Sequence, residues 1–102
     1  YTGYGTIADL MALTNDDIVN VHINDAIAGI SPEDQIDKKR ALPGETGAIN
    51  LAGFLKALGA VDYDGPVAAE PFSARVSSLP SDEAARMTFD SIRGCWIDAG
   101  LA

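Results

Sequence analysis

Two short β-branched runs, separated by a long loop and an amphipathic helix, restrict the folds open to this chain more than any other feature. Residues 17 to 24 read Asp-Ile-Val-Asn-Val-His-Ile-Asn. Period-two alternation puts Val19, Val21 and Ile23 on one face and Ile18, Asn20, His22 and Asn24 on the other. The second run, Pro66 to Phe72, sets Val67 and Ala69 against Ala68, Glu70 and Phe72. Between them Asn50 is placed to cap a helix in which Leu51, Phe54, Leu55, Leu58 and Val61 recur at core spacing. The turn at Asp64-Gly65 separates that helix from the second run. Strands joined by a helical crossover pair in parallel with right-handed connectivity, so the expected class is α/β.

The flanks add two more helices. Thr6 with Asp9 three residues on has the spacing of a capping box, and Ile7, Leu10 and Met11 then share a face, which predicts a helix over 6–13. Ser81, followed by Asp82 and Glu83 in a positive first turn, is read as the cap of the longest helix. Ala85, Phe89, Ile92, Trp96 and Ala99 are its expected buried stripe, and Gly100 its stop. Residues 25–49 hold Gly29, Pro32, Pro43, Gly44 and Gly47 among charged side chains and read as a long loop with one helical turn at Ser31–Asp34. The expectation is therefore two parallel strands and three helices. Two strands alone leave both sheet edges open. A (β/α)8 barrel spends about 30 residues per unit, so 102 residues suit two units and a leading helix. The first residue is Tyr1 rather than Met, which suggests a piece cut from something longer.

Composition narrows the function. With 7 Lys+Arg against 15 Asp+Glu the net charge is -8, and only Lys38-Lys39-Arg40 cluster. Nucleic acid and anionic membranes need basic surfaces, so neither is an expected partner. No apolar run reaches the length of a membrane span. The single cysteine, Cys95, has no internal disulfide partner and no base beside it, which suits core packing in a reducing cytoplasm.

The chemistry-bearing residues fall at strand ends. His22, the only histidine, closes the first strand, and Glu70 closes the second. Both lie on the face opposite the helix-packing set. In parallel α/β folds the C-terminal strand ends form the functional mouth. An imidazole and a carboxylate there suit a divalent metal such as Mn2+, Co2+ or Mg2+, with further ligands from elsewhere. A hydrogen-bonded structural histidine and a capped glutamate fit the same spacing. Arg40, in the loop that would overhang this mouth, suits a substrate hydroxyl, carboxylate or phosphate, or else simply faces solvent. Asn24 and Asp25 either meet ligand or cap loop backbone.

Val-His-Ile-Asn-Asp at 21–25, Arg40 with Leu-Pro-Gly-Glu at 42–45, Ile49 opening a helix, Tyr63 to Val67, and Glu70-Pro-Phe72 together resemble the C-terminal part of the sugar phosphate isomerase/epimerase family. That family has the xylose isomerase-like TIM barrel. The resemblance spans most of residues 1–102, with 25–39 as a variable insert. It implies a single barrel domain of which this chain is the C-terminal segment, with 25–49 as an active-site loop. It also implies that His22 and Glu70 are metal ligands, that Glu70 is in addition one of a pair of acid/base groups, and that Arg40 contacts substrate; Asn24 is the further substrate contact expected from its strand-end position.

The implied reaction is proton transfer on a sugar or sugar phosphate through an enediolate, assisted by a divalent metal. The family's remaining Glu and Asp ligands have no counterpart here. The chain alone is thus expected to be inactive and to depend on an N-terminal barrel segment or another subunit. The alternative is a non-catalytic module that completes a barrel formed by another polypeptide.

Overall fold

The computed structural model describes residues 1–102. Its ordered elements are α1 (Ile7–Met11), β1 (Val21–Ile23), α2 (Leu51–Ala60), β2 (Val67–Ala69), α3 (Ala74–Ser77) and α4 (Ser81–Asp98), with short 3-10 turns at 15–17, 32–34 and 37–39. The strands pair in parallel with Val21 opposite Val67, His22 opposite Ala68 and Ile23 opposite Ala69. They make the whole sheet, so each strand has one open edge. Four helices are present rather than three. The extra one, α3, lies in the Ser-rich link, where its four residues are too few to show a periodic pattern.

Local chemistry sets the element boundaries. Thr6 and Asp9 form the reciprocal capping box of α1, and the Asn50 side chain accepts the Gly53 N–H at 3.0 Å at the start of α2. In α4 the N-cap position belongs to Pro80, with Ser81 the first helical residue and no side-chain cap. The helix closes with Gly100 at φ 72°. Leu101 N–H donates to the Trp96 carbonyl and Gly100 N–H to that of Ile97, both at 2.9 Å, the two bonds of a Schellman ending. The end of α2 repeats this pattern, from Tyr63 N–H to Leu58 and from Asp62 N–H to Gly59. There the left-handed position holds Asp62 at φ 57° instead of glycine.

The core lies between one face of the strand pair and the helices. Val21, Ile23, Leu51, Leu55, Leu58, Cys95 and Ala99 are its buried members, with Leu10, Ile49, Tyr63, Val67 and Trp96 against its rim. Each large aliphatic side chain so buried contributes about 2 kcal/mol. Val19 falls outside this core. It is 90% exposed because regular pairing begins only at Val21.

Helix α4 buries only the C-terminal half of its expected stripe: Ala99 is buried and Ile92 and Trp96 are half-buried, Trp96 against the core. Cys95 and Ala99 are buried, whereas Phe89 is 62% exposed and Ala85 is also at the surface. The small side chains of Cys95 and Ala99 let the helix approach the core, and Gly44, at φ 75°, comes close enough that a Cβ there would stand 3.0 Å from the Cys95 sulfur. The cost is an apolar outer surface, with Phe89, Ile97 and Leu101 all exposed. A closed monomer of this size exposes about 5500 Å², while this chain exposes 6366 Å².

The long loop is folded back on itself. Asp25 and Ala41 exchange two backbone hydrogen bonds of 3.0 Å. The Gln35 side chain clasps Ile27, accepting its N–H and donating to its carbonyl, each at 2.9 Å. Glu45 accepts the Leu42 N–H at 2.8 Å and pairs with Arg75 of α3. No helix is long and apolar enough to cross a membrane.

Candidate functional site

The helices cover one face of the strand pair, which leaves His22, Asn24 and Glu70 on the other. These residues line a cavity of about 520 Å³, together with Tyr1, Glu33, Asp37, Lys39 and Arg40. His22 reaches it because β1 alternates: Val21 and Ile23 turn into the core and His22 turns out. Glu70 is brought level with the end of β1 by its N–H, which donates to the Ile23 carbonyl at 2.9 Å.

His22 Nδ1 lies 3.5 Å from Glu70 Oε1, an ion-pair distance rather than a hydrogen bond. The other carboxylate oxygen, Oε2, accepts from Arg40 Nη1 at 2.5 Å. Arg40 Nη2 donates to Asp37 at 3.2 Å, and the guanidinium sits 4.9 Å above the Phe72 ring centroid. Its backbone N–H donates to the Phe72 carbonyl at 3.3 Å. Burial works against the charged form of Arg40, but the hydrogen bonds to Asp37 and Glu70 prevail and hold its pKa above the ordinary arginine value. The four groups form one line, Asp37, Arg40, Glu70 and His22, running from the loop to the floor of the cavity.

The structure brings together all four residues singled out in the sequence: His22, Asn24, Arg40 and Glu70. Asn24 is already committed in part, since its side-chain amide donates to the Asp25 carbonyl at 3.0 Å. Asp25 supports the loop from beneath. Its side chain is fully buried. Oδ1 accepts the N–H groups of Ala26 and Ile49, at 2.9 and 3.0 Å. Oδ2 accepts those of Thr46 and Gly47, at 3.0 and 2.8 Å. Of the two roles open to Asp25 in the sequence, the backbone cap is the one seen.

Two further acidic residues were not singled out by motif, Asp37 on Arg40 and Glu33 near the N-terminal segment. A hydrogen bond with Tyr4 lowers the Glu33 pKa and raises that of Tyr4. The only signal in the sequence for Asp37 was its place three residues before Arg40.

The donor chemistry fits a divalent ion in part. An imidazole nitrogen and a carboxylate oxygen converge on one cavity, as a borderline metal requires. No group of three or more His, Cys, Asp or Glu able to hold a metal exists in the chain. The chain therefore offers two ligands and not a closed site.

Comparison with known proteins gives a fold and no family. No family model matches the chain, and no curated protein matches it. The chain is similar to a solved structure described as the IolI protein with a bound zinc atom, with a TM-score of 0.84 and 23% sequence identity. The likeness covers 93% of this chain and 34% of that one, so the chain spans about a third of its neighbour's length. That neighbour is a TIM barrel, and this chain matches only part of it.

Membership of the sugar phosphate isomerase/epimerase family, implied by the motif resemblance, is therefore corrected. Short matches such as Val-His-Ile-Asn-Asp and Glu70-Pro-Phe72 do not extend to a sequence signature over the chain. What stands is a small α/β domain, 13.8 Å in radius of gyration, with two parallel strands, four helices and part of a barrel's architecture.

Proposed function

We propose that His22 and Glu70 supply two ligands to a divalent-metal site that acts on a sugar or sugar phosphate by isomerase- or epimerase-type proton transfer. The remaining ligands would come from a complementary barrel segment or another subunit. The observation that carries this reading is the 3.5 Å convergence of His22 and Glu70 at the C-terminal ends of adjacent parallel strands. The bound zinc of the structural neighbour supports it.

A divalent ion at this place supplies Lewis acidity toward a substrate carbonyl and its neighbouring hydroxyl. In this reading Glu70 would take or return a proton at the adjacent carbon, and Arg40 and Asn24 would hold substrate oxygens. Mn2+, Co2+, Mg2+ and Zn2+ all suit a site of one nitrogen and carboxylate oxygens.

The test uses Co2+ and the imidazole NMR signals of His22, which are unambiguous because the chain has 1 His. Co2+ is expected to shift and broaden those signals in the wild type, and Glu70→Ala to weaken the response. Imidazole signals that ignore Co2+ would sink the proposal.

A second reading, that the chain is a non-catalytic module completing a barrel formed by another polypeptide, draws on a separate observation. The open strand edges and the excess exposed area, roughly 900 Å² over a closed monomer, match one side of a standard protein interface. A chain that stays monomeric at high concentration and binds no hydrophobic dye would count against it.

A further inference from the structure

The geometry points to Arg40 as the resident counter-cation of Glu70, in direct competition with any divalent ion taken up by the His22–Glu70 pair. This inference rests on the metal-binding reading above.

Glu70 presents its two oxygens to different partners. Oε1 faces His22 at 3.5 Å, and Oε2 is taken by Arg40 at 2.5 Å. A charge-assisted contact of that kind is about twice as strong as a neutral hydrogen bond. Arg40 is also held from three further directions. Asp37 holds its second nitrogen, the Phe72 ring lies under the guanidinium, and its main chain is tied to the Phe72 carbonyl.

With a side chain only 24% exposed, Arg40 cannot swing into water without giving up all the side-chain contacts together. An ion arriving between His22 and Glu70 thus meets a carboxylate whose charge is already balanced, and a fixed positive charge beside it. The arrangement makes two well-oriented donors a reluctant metal site. It also gives the loop a function at the strand ends: Asp37 and Arg40 set how available Glu70 is.

The experiment is a Co2+ titration followed through the His22 imidazole signals in the wild type, Arg40→Gln, Arg40→Lys and Lys39→Gln. Lys39 lines the same cavity and makes no ion pair with Glu70, so it controls for the general field. Arg40→Gln is expected to tighten Co2+ binding about fivefold, the scale of a partly exposed ion pair. Arg40→Lys should tighten it less, and Lys39→Gln should change it less than about twofold, as expected of an exposed charge in salt.

Unchanged or weaker binding in Arg40→Gln, with His22 still responding to metal, overturns the inference and leaves the metal reading intact. Equal tightening in Arg40→Gln and Lys39→Gln also overturns it, since any positive charge would then do. If metal moves His22 in none of the variants, the metal reading itself has failed. Should Arg40→Gln not fold, Arg40→Lys carries the test alone. Lysine cannot bridge Asp37 and Glu70 with a planar fork, and unchanged affinity in that variant rejects competition by Arg40.

Discussion

Asp25 Oδ2 lies 2.8 Å from the amide nitrogen of Gly47, a residue 22 positions further along the chain. Through this contact and its three companions, one carboxylate at the end of β1 fixes the turn that opens α2. Asp25→Asn puts an NH2 group where two backbone N–H groups now donate, leaving those donors unpaired. Each such loss costs about 1–3 kcal/mol. The variant is expected to lose roughly 2–6 kcal/mol in urea denaturation, and hydrogen exchange should quicken first at Thr46, Gly47 and Ile49. Slow exchange at those amides in the variant would remove Asp25 as the organiser of the loop.

Asp62 stands in the left-handed region at φ 57°, where the end of α2 calls for glycine. Relief of that conformation is worth about 1 kcal/mol, less what glycine's extra freedom costs in the unfolded chain. Asp62→Gly is accordingly expected to raise stability by at most about 0.5 kcal/mol, read as a small increase in Tm. A lower Tm would mean that the Asp62 side chain contributes something the backbone does not show.

Burial, ahead of the nearby charges of Asp98 and Asp25, raises the Cys95 pKa above 9.0. The thiol therefore stays protonated through neutral pH. Iodoacetamide at pH 8 should modify the folded chain slowly and the urea-unfolded chain rapidly. The raised value has a sign for stability as well. The unfolded chain releases this proton first, so the contribution is complete below the unfolded pKa and fades as pH rises through the folded one. Cys95→Ser should remove that alkaline loss. Rapid alkylation of the folded chain would show that α4 opens on its own.

The Thr6 backbone N–H, and then its hydroxyl, lower the Asp9 pKa below 3.8. A depressed carboxylate gives a contribution that is present above the unfolded pKa and lost as pH falls through the folded one. The Thr6 amide resonance should therefore titrate with a midpoint below the ordinary aspartate value, and Asp9→Asn should abolish that movement. A Thr6 shift that titrates near neutrality would exclude Asp9 as its cause.

Phe89 is 62% exposed on the outer face of α4. Phe89→Glu should leave stability within about 0.5 kcal/mol, as surface changes do, while lowering any tendency to self-associate in sedimentation. A large loss of stability would mean that Phe89 packs against the rest of the chain in solution.

The sequence made some of this legible and hid the rest for physical reasons. Capping and alternation are local, so Thr6, Asn50, Val21, Ile23, His22 and Glu70 all took their expected places. The orientation of α4 is not local. The expected stripe is buried at Ala99 and in part at Trp96 but not at Ala85 and Phe89, and Cys95, outside that stripe, is buried because close approach to Leu55 and Gly44 depends on partners far along the chain. The role of Asp25 was undecided for the same reason: three of its four amide donors lie 21 to 24 residues away. The Arg40 to Glu70 contact spans 30 residues, and no spacing rule reaches that far.

The reciprocal bonds between Asp25 and Ala41 close the excursion from 27 to 39 at its base. Closure entropy grows only with the logarithm of loop length, so each doubling costs about 0.6 kcal/mol. Changes of length within this excursion should therefore cost the fold little in closure entropy, although they alter the wall of the cavity that carries Glu33, Asp37 and Lys39. The base is a graft point, at which one scaffold can exchange recognition sequences while His22 and Glu70 stay where the strands put them.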